Sequence, residues 1–128
     1  ANPSSMLDAI RFFQRQAGDL PQLLTLGGME ELGDEGPRLH QETGSSIKIG
    51  PSDKVLLIGE KAEWMKAGIL QSGIERESIK SVADVLEAES LVSEFEGAVL
   101  LKGSRTNALE TLVPDWATEE GKMEYAGC

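Results

Sequence analysis

The chain has one cysteine and one histidine among its 128 residues, and aromatic side chains make up only 5% of it. The cysteine, Cys128, is the last residue, so no disulfide can form within the chain and a reducing, cytoplasmic setting is expected. His40 has no second histidine or cysteine with which to share a metal. That argues against a zinc-type centre and for a histidine that hydrogen-bonds loop backbone. Basic residues are scarce: 12 Lys and Arg stand against 22 Asp and Glu, a net charge of −10. So acidic a surface repels phosphate backbones and anionic lipid, and neither nucleic acid nor membrane is expected as a partner. The longest apolar runs, Val55–Ile58 and Ala98–Leu101, are far too short to cross a bilayer, and no signal peptide opens the chain. There is no initiator methionine either. Ala1-Asn2-Pro3 reads as the start of a piece cut from something longer.

What the sequence does have is the 40% apolar content of one globular domain. Met6, Ala9, Ile10 and Phe13 repeat with helical spacing, predicting a helix over 4–17, with a capping-box spacing at Ser5 and Asp8 and a stop at Gly18. Short apolar runs closed by glycine or a turn predict strands at Leu23–Leu26, Lys54–Ile58 and Ala98–Leu101. Between them, helices are expected from Pro37 (Leu39, Thr43 and Ile47 inward, weakened by Gly44), over Glu60–Ser72, and over Ser81–Phe95 with Val82, Val85, Val92 and Phe95 inside. A last helix is expected through Ala108, Leu109, Leu112 and Val113. Residues 1–116 read as the domain and 117–128 as a polar tail. The alternation implies an α/β fold, a three-layer sandwich with a mostly parallel sheet and helices on both faces. Opening on a helix, it is expected to lack its first strand.

In such sheets ligands bind beyond the carboxyl ends of the strands, here Gly27–Gly33, Gly59–Lys61 and Lys102–Arg105. Lys102-Gly103-Ser104-Arg105 combines two cations, a hydroxyl and a glycine ahead of a helix. One reading is a cradle for a carboxylate or phosphate, with Arg105 able to pair a carboxylate through two bonds. The other is an ordinary turn with solvated cations. Glu30, Glu31, Asp34 and Glu35 lack calcium-loop spacing and read as a solvated loop capping a helix. No Walker-type or dinucleotide-binding glycine motif is present, and no nucleophile sits beside a base.

These residues also form an ordered set: Ala1-Asn2-Pro3-Ser4-Ser5-Met6, Gly27-Gly28-Met29-Glu30-Glu31-Leu32-Gly33, His40 with Gly44, Lys102-Gly103-Ser104-Arg105, and Glu110. From residue 1 to about Trp116 the chain resembles the C-terminal domain of the Mur ligases, most closely the MurF type. The resemblance implies a Rossmann-like domain of an ATP-dependent amide ligase of peptidoglycan precursor synthesis, with UDP-N-acetylmuramoyl-tripeptide and D-alanyl-D-alanine as substrates. It also implies that ATP and magnesium are held mainly by another domain, so this piece alone is expected to be inactive. By position, Asn2 and Ser5 would lie at the ATP-facing edge, and Lys102, Gly103, Ser104 and Arg105 would face the incoming dipeptide. Met29, Glu31 and His40 would organise the loop beside them. Three departures stand out. Gly28 replaces the family's usual aspartate, Ile47-Lys48-Ile49 looks trimmed, and the Asp-Asn-Pro-Arg motif of the diaminopimelate- and lysine-adding branch is missing. The competing expectations are a Mur-type ligase for a different amine, a stand-alone Rossmann-like module binding a small anion, and a purely structural interaction domain.

Overall fold

The computed structural model describes residues 2–103, 109–112 and 123–126. Five strands form one sheet in the order β3-β2-β1-β4-β5: β1 Gln22–Gly27, β2 Lys54–Ile58, β3 Ile79–Val82, β4 Ala98–Lys102 and β5 Met123–Ala126. Every neighbouring pair is parallel. The helices are α1 Pro3–Ala17, α2 Gly36–Ser45, α3 Glu60–Glu63, α4 Met65–Gln71 and α5 Val85–Glu94.

The sheet separates two apolar layers. On one face α1, α3 and α4 cover Leu24, Leu26, Val55, Leu57 and Leu100, with Met6, Phe13, Met65 and Ile69 fully packed among them, and α2 packs against α4. On the other, α5 and a short 3-10 turn at Leu109–Leu112 cover Leu23, Leu56, Ile58, Val99 and Leu101. Because β1 is central and buried at every position, it reads as an unbroken apolar run rather than an alternating one.

Several details depart from expectation. The capping box of α1 is Asn2 with Ser5, not Ser5 with Asp8: Pro3 at the first helical position fixes the start one turn earlier. Residues 79–82 are the edge strand β3, and α5 begins only at Val85. Asp84 caps it by accepting the Glu87 N–H at 3.2 Å, so the effective cap lies three residues beyond Ser81. Val82 therefore belongs to the strand, while Val85 and Phe95 are only partly buried. The helix expected over 60–72 breaks at Trp64 into α3 and α4. Along α2 the buried side is Gly36, His40, Thr43 and Gly44, with Leu39 only half-buried. Of the expected last helix, Leu109–Leu112 form a 3-10 turn, and Ala108 and Val113 lie outside the described residues. Within the expected polar tail, Met123–Ala126 pairs with β4 as a fifth strand.

Gly44 does not weaken α2 so much as permit its packing. A Cβ there would lie 2.3 Å from the Met65 carbonyl oxygen, and one at Gly68 would lie 1.9 Å from the Gln41 carbonyl oxygen. The two glycines let α2 and α4 meet backbone to backbone.

Candidate functional site

The chain winds outward from β1 through β2 to β3, then returns across the sheet to β4 and β5. The connection after β1 runs over the α1/α2 face, whereas Leu109 and Leu112, after β4, pack on the α5 face. In open parallel sheets, connections that leave neighbouring strands towards opposite faces mark the usual ligand position, a crevice at their carboxyl ends. Here that position is flanked by Gly27-Gly28-Met29 and Lys102-Gly103, with Leu26 and Lys102 paired in register.

The same edge receives the start of α1. That helix spans 15 residues and returns against β1, which has six. At ~1.5 Å per helical residue and ~3.3 Å per strand residue both run about 20 Å, so the α1 N-terminus reaches the carboxyl edge. There Asn2 Oδ1 accepts the Ser5 N–H at 2.9 Å, and Ser5 Oγ accepts the Asn2 N–H at 3.1 Å. Both side chains are engaged in capping the helix.

The loop after β1 is held from beneath. His40 is fully buried; its Nε2 accepts the Met29 N–H at 2.9 Å and its Nδ1–H donates to the Gly36 carbonyl at 2.7 Å. These bonds fix the tautomer, and the Trp64 ring meets the imidazole edge-on at 5.3 Å. Met29 is buried beside it, and Glu31 turns the loop through a positive φ of 63°. Glu31 is exposed, and Arg38 pairs with Glu35 and Glu42 on the outer side of α2. Burial pushes the His40 pKa below its ordinary 6.5, helped by Lys61 and opposed by the Gly36 carbonyl and Glu30. The unfolded chain therefore binds this proton more readily. The His40 contribution to stability is intact above pH 6.5 and is lost as pH falls below it towards the lower folded value. Denaturant titrations of wild type and His40→Gln at pH 7.5 and 5.5 should show the stability gap narrowing at the lower pH.

Lys102 ends β4 with 6% exposure, and no ion pair or hydrogen bond reaches it from the described residues. Ala98 and Leu100 face the α1 layer and side chains alternate along a strand, so Lys102 points to that layer too. Gly103 is buried next to it. Ser104 and Arg105, expected to complete the cradle, lie outside the described residues. Across the crevice loop, Lys61 Nζ pairs with Glu30 Oε1 at 2.8 Å. Lys61 and Trp64 were not singled out from sequence. The signal for Lys61 was its place just after Gly59, at the carboxyl end of β2. Among the described residues no three His, Cys, Asp or Glu side chains form a group that could hold a metal ion.

Comparison with known proteins decides the family. The sequence model of the family described as "Mur ligase, glutamate ligase domain" matches residues 1–105. The chain belongs to the Mur ligase family. Two relatives of this Mur ligase domain carry the name UDP-N-acetylmuramoyl-tripeptide–D-alanyl-D-alanine ligase. The protein from Buchnera aphidicola is 29% identical over 95% of the chain and 26% of its own length. That from Rickettsia prowazekii is 28% identical over 88% of the chain and 25% of its own length. A crystal structure of MurF from Acinetobacter baumannii superimposes with a TM-score of 0.69 and 26% identity, covering 88% of this chain and 25% of that one. The chain thus spans about a quarter of the length of these relatives, and its fold is the α/β, Rossmann-like one of the MurF C-terminal domain. In this Mur ligase domain the missing aspartate at position 28 has a steric counterpart. A Cβ on Gly28 would lie 2.6 Å from the Lys61 Cβ, so the space for that side chain is taken.

Proposed function

We propose that this chain is the dipeptide-receiving domain of a UDP-N-acetylmuramoyl-tripeptide–D-alanyl-D-alanine ligase, a cytoplasmic enzyme of peptidoglycan precursor synthesis. The observation that carries the reading is Lys102, a cation 6% exposed at the β1/β4 crevice with no partner among the described residues. No described residue supplies its counter-charge, and a bound carboxylate would pair with it through a charge-assisted hydrogen bond. D-alanyl-D-alanine brings one carboxylate and one amine on opposite ends. Holding the carboxylate at Lys102, with Ser104 and Arg105 following, leaves the amine directed out of the crevice towards the activated tripeptide.

In the reaction implied, ATP activates the terminal carboxylate of the UDP-tripeptide. The amine nitrogen then bonds to that carbonyl carbon, phosphate leaves, and the nitrogen loses a proton. The contribution of this domain is orientation: fixing the amine's approach turns a bimolecular encounter into an ordered one. Met29, Glu31 and His40 shape the wall of the crevice, and Asn2 with Ser5 sets the α1 end at the ATP-facing edge. ATP and magnesium are bound mainly by another domain of the ligase. The names of the relatives support the choice of dipeptide over a single amino acid.

The test is ADP release by the full-length ligase with ATP and UDP-muramoyl-tripeptide. D-alanyl-D-alanine should drive turnover, and this chain alone should show none. Turnover driven by another amine, and not by the dipeptide, would overturn the reading.

A further inference from the structure

Lys61 sits in the first turn after β2, on the edge that carries the crevice, and its ammonium reaches back to Glu30 in the loop after β1. The side chains of Lys61 and Glu30 are 44% and 33% exposed, so the pair adds at most about 1 kcal/mol to stability. The loop is nevertheless built around it. Gly28 passes so close to the start of α3 that a Cβ would lie 2.6 Å from the Lys61 Cβ and 3.4 Å from the Ala62 nitrogen. Neither is the far end of a flexible chain, so the backbone itself would have to shift.

Three successive residues of the crevice wall are thereby fixed by three different devices. Gly28 abuts α3, Met29 gives its N–H to His40, and Glu30 is held by Lys61. The first two act on the backbone at the root of the loop, and only the third reaches its rim through a side chain. We infer that Lys61 is a positioning residue for the dipeptide crevice, holding the rim of the loop after β1 through Glu30 across a glycine that leaves room for its stem. This inference rests on the proposed dipeptide ligase reading. The pair is too exposed to matter much for folding, so its effect falls on how well the wall is placed when substrate arrives.

The experiment compares Lys61→Met and Lys61→Arg in the full-length ligase and in the chain described here. In the ligase, Lys61→Met should raise KM for D-alanyl-D-alanine about three- to fivefold with kcat within about twofold, and Lys61→Arg should recover most of the loss. In the chain, the single histidine gives one clean NMR titration. Lys61→Met removes a cation that lowers the His40 pKa, so that pKa should rise; the Met29 amide should also exchange faster with solvent. Unchanged KM together with unchanged Met29 exchange would overturn the inference. If the wild-type ligase shows no dipeptide-dependent turnover, the ligase reading fails, and Met29 exchange still decides whether Lys61 holds the loop.

Discussion

Replacing Lys102 with methionine is expected to cut kcat/KM for D-alanyl-D-alanine by about 30- to 150-fold in the full-length ligase. This corresponds to the loss of one charge-assisted hydrogen bond of about 2–3 kcal/mol. Methionine keeps most of the apolar stem and removes the charge, so the packing of the β4 end is largely retained. The same substitution is expected to leave the chain as stable as wild type, or more stable. No described residue pairs with the Lys102 ammonium, so the substitution removes no contact among them, and methionine keeps the apolar stem in the mostly buried site. Activity and stability moving in opposite directions is what separates a binding cation from a structural one. Steady-state kinetics on the ligase and urea titration of the chain give the two readings. A loss of stability with full activity would assign Lys102 to the fold.

Gly68→Ala is expected to destabilise the chain by about 3 kcal/mol, lowering the melting temperature by roughly 10 °C. Helix propensity alone predicts the opposite sign, a gain of about 1 kcal/mol. The new methyl would lie 1.9 Å from the Gln41 carbonyl oxygen and 2.8 Å from the Ser45 nitrogen, both backbone atoms that cannot rotate away. Relief requires α2 and α4 to separate. Because α2 carries His40 and Trp64 lies at the start of α4, that separation also loosens the loop after β1. Thermal unfolding by circular dichroism decides it, with Ser93→Ala on the exposed side of α5 as a control expected to shift little. A stabilised Gly68→Ala would mean that the helices have slack between them.

How much of this was legible in sequence depends on whether the deciding contact was local. The strands β1, β2 and β4 are buried on both faces, so their apolar runs stand out against glycine and loop residues. The edge strand β3 is half-exposed, and its Ile-Lys-Ser-Val run was overshadowed by a cap spacing at Ser81 and Asp84. Met123–Ala126 carries no comparable apolar run; only its pairing with β4 reveals a strand. Gly44 looked like a defect in a helix because its value lies in a contact with Met65, across another element.

The site divides in the same way. The carboxyl ends of the strands, and with them the Lys102-Gly103 wall, followed from the α/β order. The close fit between Gly28 and Lys61 joins segments that are distant in sequence, and it appears only once β1 and β2 are side by side. The role of Asn2 as a helix cap follows from Pro3, a cue available in sequence but outweighed by the Ser5–Asp8 spacing.

The central claim is that an incoming dipeptide is held in the crevice between β1 and β4. A crystal structure of the full-length ligase with D-alanyl-D-alanine bound tests it most directly. The expected result is the dipeptide carboxylate within hydrogen-bond distance of Lys102 Nζ, with the amine directed away from this domain. A dipeptide seated elsewhere, making no contact with Lys102, would contradict it.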